Sequence, residues 1–128
     1  MVAGRSLMPD NPVRHCQALR LIGLGLEAAK KSGQIVYEQA RPADKQHAPV
    51  LERANAQLEA AWSTLEGELA RYHPETGGPD QVGITTAVVW RFAEFALPGL
   101  IDRSRFPVLC RWSDAAEALP AFVATPLE

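Results

Sequence analysis

Residues 48–72 read APVLERANAQLEAAWSTLEGELARY, the most regular stretch of the chain. Leu51, Ala54, Leu58, Ala61, Leu65, Leu69 and Tyr72 recur at spacings of three and four, with Trp62 beside the stripe. Glu52, Arg53, Glu59, Glu66 and Arg71 take the opposite side. That period is the signature of an amphipathic helix, predicted over Ala48 to Tyr72. A coiled-coil seam would need a longer run than about three heptads, so the stripe reads as packing within the chain.

Upstream, Pro9-Asp10-Asn11-Pro12 supplies a turn, an N-cap and a proline for the first turn of a helix running from Val13 to about Glu38. Its apolar residues form two adjoining stripes, Leu19, Ile22, Leu26, Ala29, Val36 and Leu21, Leu24, Ala28, Ile35. A face that wide predicts two neighbours. Gly23, Gly25 and Gly33 each weaken a helix by about 1 kcal/mol relative to Ala, which predicts close approach of another backbone or a ligand. Arg41-Pro42 ends the segment.

Downstream, residues 73–79 are a loop by composition. A third helix is expected with Thr85 or Thr86 as N-cap, ending near Leu97 before Pro98-Gly99. Only Arg91 and Glu94 interrupt its apolar run 88–96, which predicts burial on nearly all sides. A fourth helix is expected from Ser104 to Ala118, with Leu109, Trp112, Ala116 and Leu119 inward, and a last short turn around Phe122. No stretch alternates as a strand does. The fold class is therefore all-α: two long antiparallel helices, a buried third, and shorter helices around them, in a single helical domain over 1–128 with a linker-like start over 1–10.

Composition agrees. The chain has 128 residues, 47% hydrophobic and 22% charged, enough to bury one core without metal or disulfide staples. Thirteen Lys and Arg against fifteen Asp and Glu leave a net charge of −2, which gives no electrostatic reason to expect nucleic acid or a membrane surface. No apolar run approaches the roughly 20 residues of a membrane span, and the first residues lack a signal-peptide core. Cys16 and Cys110 read as two buried free thiols in preference to a bridge, so a reduced, cytoplasmic protein is expected.

Chemistry is sparse. His15, His47 and His73 share no metal-ligand spacing, and helical neighbours such as His15 and Cys16 do not face each other. Gly23-Leu24-Gly25 lies within a helix, where packing outweighs phosphate binding. Trp62, Trp90 and Trp112 are candidate core residues. Arg14, Arg20 and the Tyr37, Glu38, Arg41 group allow two readings: helix-end electrostatics, or one edge of the first helix lining a cleft.

The order of these segments resembles the C-terminal helical domain of the glutathione transferase superfamily, from Ser6 to Phe122. Leu7-Met8-Pro9 with Asn11-Pro12 and Arg14 resembles the linker end and first helix of that domain. Tyr37-Glu38-Gln39-Ala40-Arg41-Pro42 is similar to the aromatic-acid…Arg-Pro signature closing that helix in many bacterial members, and Leu65-Glu66 to a pair in the second. Ile84-Thr85-Thr86-Ala87-Val88 resembles the capped start of the buried helix, although Val88 stands where that capping box has an acid. Phe106-Pro107-Val108-Leu109, Trp112 and Leu119-Pro120-Ala121-Phe122 match the family's aromatic-Pro…Leu…Trp…Pro order.

The resemblance implies the co-substrate and dimerisation half of a protein that conjugates or reduces an electrophile with glutathione as co-substrate. The family's thioredoxin-like domain, which holds glutathione and ionises its thiol, has no counterpart in this sequence. The chain then carries no cofactor of its own, and its partners are a second copy or that domain, plus a hydrophobic electrophile. Whether it acts as an enzyme stays open. The substrate side is expected on the edge of the first helix at Arg14, Ala18 and Leu21, with no catalytic residue assigned. The alternatives are a non-catalytic docking module and a binder of a small apolar ligand between the first and third helices.

Overall fold

A computed structural model describes residues 7–73 and 80–124, and among them every regular element is a helix. The elements are α1 (Pro12–Gln39), α2 (Ala48–Leu69), α3 (Gln81–Ala96), α4 (Pro107–Glu117) and a one-turn α5 (Pro120–Val123). Two single 3-10 turns, Ala43–Lys45 and Arg103–Arg105, lead into α2 and α4. α1 lies against both α2 and α3, and α4 against α3 with a smaller contact to α2. Arg20, early in α1, pairs with Glu68, late in α2, so these two run antiparallel.

α1 starts where Asn11 predicts. The Asn11 Oδ1 accepts from the backbone N–H of Val13 at 2.9 Å and of Arg14 at 3.2 Å, and Pro12 occupies the first helical position. Its buried line is Ala18, Leu21, Gly25, Ala28, Ser32 and Ile35. The one hydroxyl on that line is satisfied locally, since Ser32 Oγ donates to Ala28 O at 2.8 Å. The predicted close approach is found at none of the three glycines: an added Cβ at Gly25 would make an ordinary van der Waals contact, 3.6 Å from the Thr85 Cγ2 of α3, and at Gly23 or Gly33 it would meet nothing within 4 Å.

α2 buries Ala54, Leu58, Ala61, Trp62, Leu65 and Leu69, the line its periodicity predicts. It stops at Leu69, three residues short of the expected end, yet Tyr72 stays buried. That ring is held by its hydroxyl, which donates to Asp80 Oδ2 at 2.5 Å.

The starts of α3 and α4 correct the sequence reading. α3 begins at Gln81, because Asp80 is its cap: Asp80 Oδ1 accepts from Gly83 N at 2.9 Å. Thr86 is buried in the core instead. At the fourth helix, Asp102 Oδ1 takes both Ser104 N and Ser104 Oγ and closes only the turn Arg103–Arg105. Phe106 then leaves helical geometry at φ −130°, ψ 60°, as a residue before proline favours, and α4 proper starts at Pro107.

The core runs through all four long helices. Trp62 meets Trp90 edge-on with ring centres 5.0 Å apart, and Trp90 meets Phe106 at 5.9 Å, which joins α2, α3 and the entry to α4. Trp112 is half-buried, against Tyr72 at 6.0 Å. Two expectations of burial fail. α3 is not covered all round, and the cysteines are free but not buried, Cys16 being exposed and Cys110 half-exposed.

Candidate functional site

The edge of α1 singled out in the sequence divides in the structure. Ala18 and Leu21 are fully buried between helices, so both pack the core and neither lines an open surface. Arg14 lies at the edge, half-buried, and its Nη2 donates to His73 O just past the end of α2. Arg20 Nε donates to Glu68 Oε1 at 2.6 Å, and that partner holds the guanidinium above its ordinary pKa. These two cations fasten α1 to the end of α2, where the last carbonyls of a helix favour positive charge.

At the far end of α1 the Tyr37…Pro42 signature has a structural reason. Glu38 Oε1 accepts from His47 N at 2.7 Å and from Arg41 Nη1 at 3.2 Å. Gln46 Nε2 donates to the carbonyls of Gln39 and Arg41 at 3.2 and 2.9 Å. The acid therefore locks the link between α1 and α2, and its hydrogen bond from His47 lowers its pKa, with Arg41 adding to the shift. Tyr37 is exposed.

Nucleophilic and metal chemistry find no constellation among the described residues. No group of three His, Cys, Asp or Glu there could hold a metal ion. His15 directs Nδ1 at Pro9 O, 3.1 Å away, rather than at Cys16. Burial pushes the Cys110 thiol up in pKa against the pull of Arg103, and its Sγ lies 3.5 Å from Arg103 O. A thiol in that setting is a poor nucleophile. No helix is long and apolar enough to cross a membrane among the residues described.

What the structure offers instead is apolar surface. Val88, Phe92 and Phe95, at i, i+4 and i+7 on α3, are 53%, 37% and 55% exposed. Leu19 and Leu26, seven apart on α1, are 53% and 56% exposed. Val88, Phe92 and Phe95 therefore form one exposed apolar row on α3, a candidate contact surface. The all-round apolar run of α3 carries the sequence signal for this row, which as a pattern does not separate burial from an exposed apolar face.

Three side chains that the sequence reading left without a role have one here. Asp80 caps α3 while holding Tyr72. Glu66 reaches from α2 to α4, its Oε1 accepting from Val108 N at 2.6 Å and its Oε2 from Leu109 N at 2.9 Å. Asn55 lines a pocket between α2 and the 100–106 segment.

No family model and no curated protein matches the sequence. Solved structures do. A glutathione S-transferase from Methylobacillus flagellatus KT with glutathione bound superposes with a TM-score of 0.82 at 18% identity, over 94% of this chain and 61% of that one. A glutathione transferase family member from Pseudomonas fluorescens Pf-5 with bound glutathione gives 0.82 at 25% identity, over 98% and 62%. A third glutathione S-transferase, from Methylobacterium radiotolerans JCM 2831 in complex with glutathione sulfonate, gives 0.75 at 24%, over 93% and 57%. The chain has the all-helical fold of the glutathione transferase C-terminal domain. It spans about three-fifths of the length of the transferases it matches.

Within that fold the motifs singled out in the sequence are joints. The Leu65-Glu66 pair puts a core leucine beside the acid that caps α4, and Phe106-Pro107 makes the break that α4 starts from. The capped start of the buried helix is present too, with Asp80 rather than a threonine as the cap.

Proposed function

We propose that this chain is the helical half of a glutathione transferase-like protein. In that role it supplies the apolar co-substrate wall and subunit surface, while glutathione is held by a thioredoxin-like domain in the same protein or a partner. The observation that carries the reading is the exposed row Val88, Phe92, Phe95 on a helix whose inner face is core, in a fold whose solved relatives have more chain and hold glutathione. A thioredoxin-like domain seated on that row would remove its apolar area from water, at about 25 cal/mol per Å2.

The complete protein conjugates or reduces an electrophile with glutathione, works in the cytoplasm, and forms a homodimer. Residues 1–128 make up a single helical domain, with residues 1–10 as its linker-like start. In this reading Arg14, at the α1 edge, is the substrate-side residue of that helix, with the buried Ala18 and Leu21 behind it. No group in the chain is assigned to ionise the glutathione thiol, since that takes a cation, helix N-terminus or hydroxyl placed against the sulfur.

Calorimetric titration of the 128-residue chain with reduced glutathione tests this. No saturable binding is expected up to several millimolar. One-to-one binding at or below ~100 µM, about 5.5 kcal/mol, would show that the chain builds its own thiol site and would overturn the reading. Light scattering at ~100 µM adds an independent check, because an uncovered aromatic row favours dimers or larger species and a clean monomer counts against it.

A further inference from the structure

Leu19, Arg20, Gly23, Leu26 and Glu27 lie along the outward side of α1, and all five are exposed. Spacings of three, four and seven put them on one helix face. Gly23 sits between the two leucines and meets nothing of its own chain within 4 Å. Glycine weakens a helix relative to alanine, and no neighbour within the chain requires it here. What its missing side chain does permit is close approach of a backbone from outside.

The charges on this face are placed about the same point. Arg20 and Glu27, opposite in sign, stand just before and just after Gly23. Each is only partly used within the chain. Arg20 gives its Nε to Glu68, yet its side chain is 61% exposed and a guanidinium carries five N–H donors. Glu27 is 49% exposed, with Lys31 at 3.7 Å as its ion-pair partner.

A face with this order is complementary to itself once reversed. Laid antiparallel on a second α1 with Gly23 opposite Gly23, it brings each Leu19 beside the other copy's Leu26 and each Arg20 beside the other copy's Glu27. Laid parallel, it would set Arg20 against Arg20 and Glu27 against Glu27. A twofold axis crossing the helix at Gly23 generates the antiparallel case, an isologous contact in which one patch serves both subunits. We propose that a second copy of this chain docks α1 on α1, antiparallel and crossing at Gly23, with the leucines in contact and Arg20 paired to Glu27 across the axis. The inference rests on the homodimer in the function proposed above and names its surface. Its failure would leave the glutathione reading standing, and glutathione binding by the chain would leave the contact standing. One helix pair is a small interface, so the dimer is expected at ~100 µM and its dissociation at ~1 µM.

Light scattering alone does not separate this contact from association through the α3 row, but disulfide trapping in the 128-residue chain does. Two packed helices have axes about 8–10 Å apart, so facing Cα atoms lie about 3.5–5.5 Å from each other, which overlaps the reach of a disulfide. Gly23→Cys, combined with Cys16→Ser and Cys110→Ser, is expected to turn most of the chain into a covalent dimer at ~100 µM in a thiol–disulfide buffer, read on a non-reducing gel. The exposed Cys16 is the control. At about 1.5 Å per residue the antiparallel contact holds it about 21 Å from its copy, so Cys110→Ser alone is expected to link at least tenfold more slowly. Adding Glu27→Arg to the Gly23→Cys chain sets two arginines together and is expected to slow linking at least tenfold, with circular dichroism checking that the exposed substitution leaves the fold intact. A Gly23→Cys chain that stays monomeric, a Cys16 that links as fast, or a Glu27→Arg without effect on the rate overturns the proposal.

Discussion

Replacing Glu66 by alanine removes the cap of a helix 42 residues away in sequence, counted from Glu66 to Val108. The first N–H groups of a helix have no partner within it. In α4, Pro107 has no N–H, Cys110 N already donates to Phe106 O at 3.0 Å, and Phe106 offers no side-chain cap. The open donors are therefore Val108 N and Leu109 N, and Glu66 takes both, at 2.6 and 2.9 Å. α4 has no acid in its own first turn to substitute. Hydrogen bonds to a charged acceptor contribute about 1.5–3 kcal/mol each, and a carboxylate at a helix start adds about 0.3–1 kcal/mol. The two bonds share one half-buried acceptor and water can replace part of them, so Glu66→Ala is expected to cost about 2–3 kcal/mol. For a chain of this size that is a fall in Tm of about 10 °C. Glu66→Gln, which keeps one acceptor oxygen and turns a donor toward the second N–H, should fall between. Urea melts followed by circular dichroism give the number. A loss below ~0.5 kcal/mol for Glu66→Ala would show that the long-range cap contributes nothing and that α4 is held by its apolar face alone.

Three further outcomes follow from the same contacts. Asp80→Ala removes a cap and the acceptor that takes the buried Tyr72 hydroxyl's hydrogen bond, and is expected to cost about 2–4 kcal/mol by chemical denaturation, with Tyr72→Phe milder because it leaves the cap in place. Alanine at two glycines should give opposite signs in thermal melts. At Gly83 the new Cβ meets the Trp112 ring at 3.3 Å and costs about 1–3 kcal/mol, whereas at Gly23 it meets nothing within 4 Å and stabilises by up to about 1 kcal/mol. Glu38 has its pKa lowered in the fold, so the stability it contributes is present above the usual carboxylate range and lost as pH falls through the lowered value. Melts from pH 7 to pH 3 should show that loss, and Glu38→Gln should flatten this part of the profile.

The sequence was legible wherever the deciding contacts are local. Asn11-Pro12 specifies the start of α1 because the cap and the N–H groups it takes are two and three residues apart, and the stripe from Leu51 to Leu69 needs only its own spacing. The start of α3 misled because threonine and aspartate both cap. The choice of Asp80 over Thr86 rests on the Tyr72 hydroxyl and on Thr86 packing inward, neither of which has a local signature. α4 was displaced for the same reason at longer range, since its capping acid is on α2. At the candidate site, Arg14, Ala18 and Leu21 do share a face of α1, but periodicity reports which residues share a face and not what covers it. Asn55 carries no pattern at all: a polar residue on an amphipathic helix reads as solvated, whereas here it is half-buried and lines a pocket with the 100–106 segment.

The polar contacts also argue for which side of the bundle is left for a partner. α2 is the helix whose acids serve other elements: Glu59 pairs with Arg105 before α4, Glu66 caps α4 itself, and Glu68 holds Arg20 of α1. α3 has its own charged pairs, Arg91 with Glu117 and Glu94 with Arg103, and both tie it to the α4 side. Beside these pairs Val88, Phe92 and Phe95 stay exposed at 53%, 37% and 55%. A surface that had to stay in solvent would gain from exchanging Phe95 for a charge, at no cost to the core, because Ala93, Trp90 and Val89 already fill the inner side. In the reading proposed above, a docking domain or a second copy is expected to cover this row on α3, as the proposed light-scattering measurement would test.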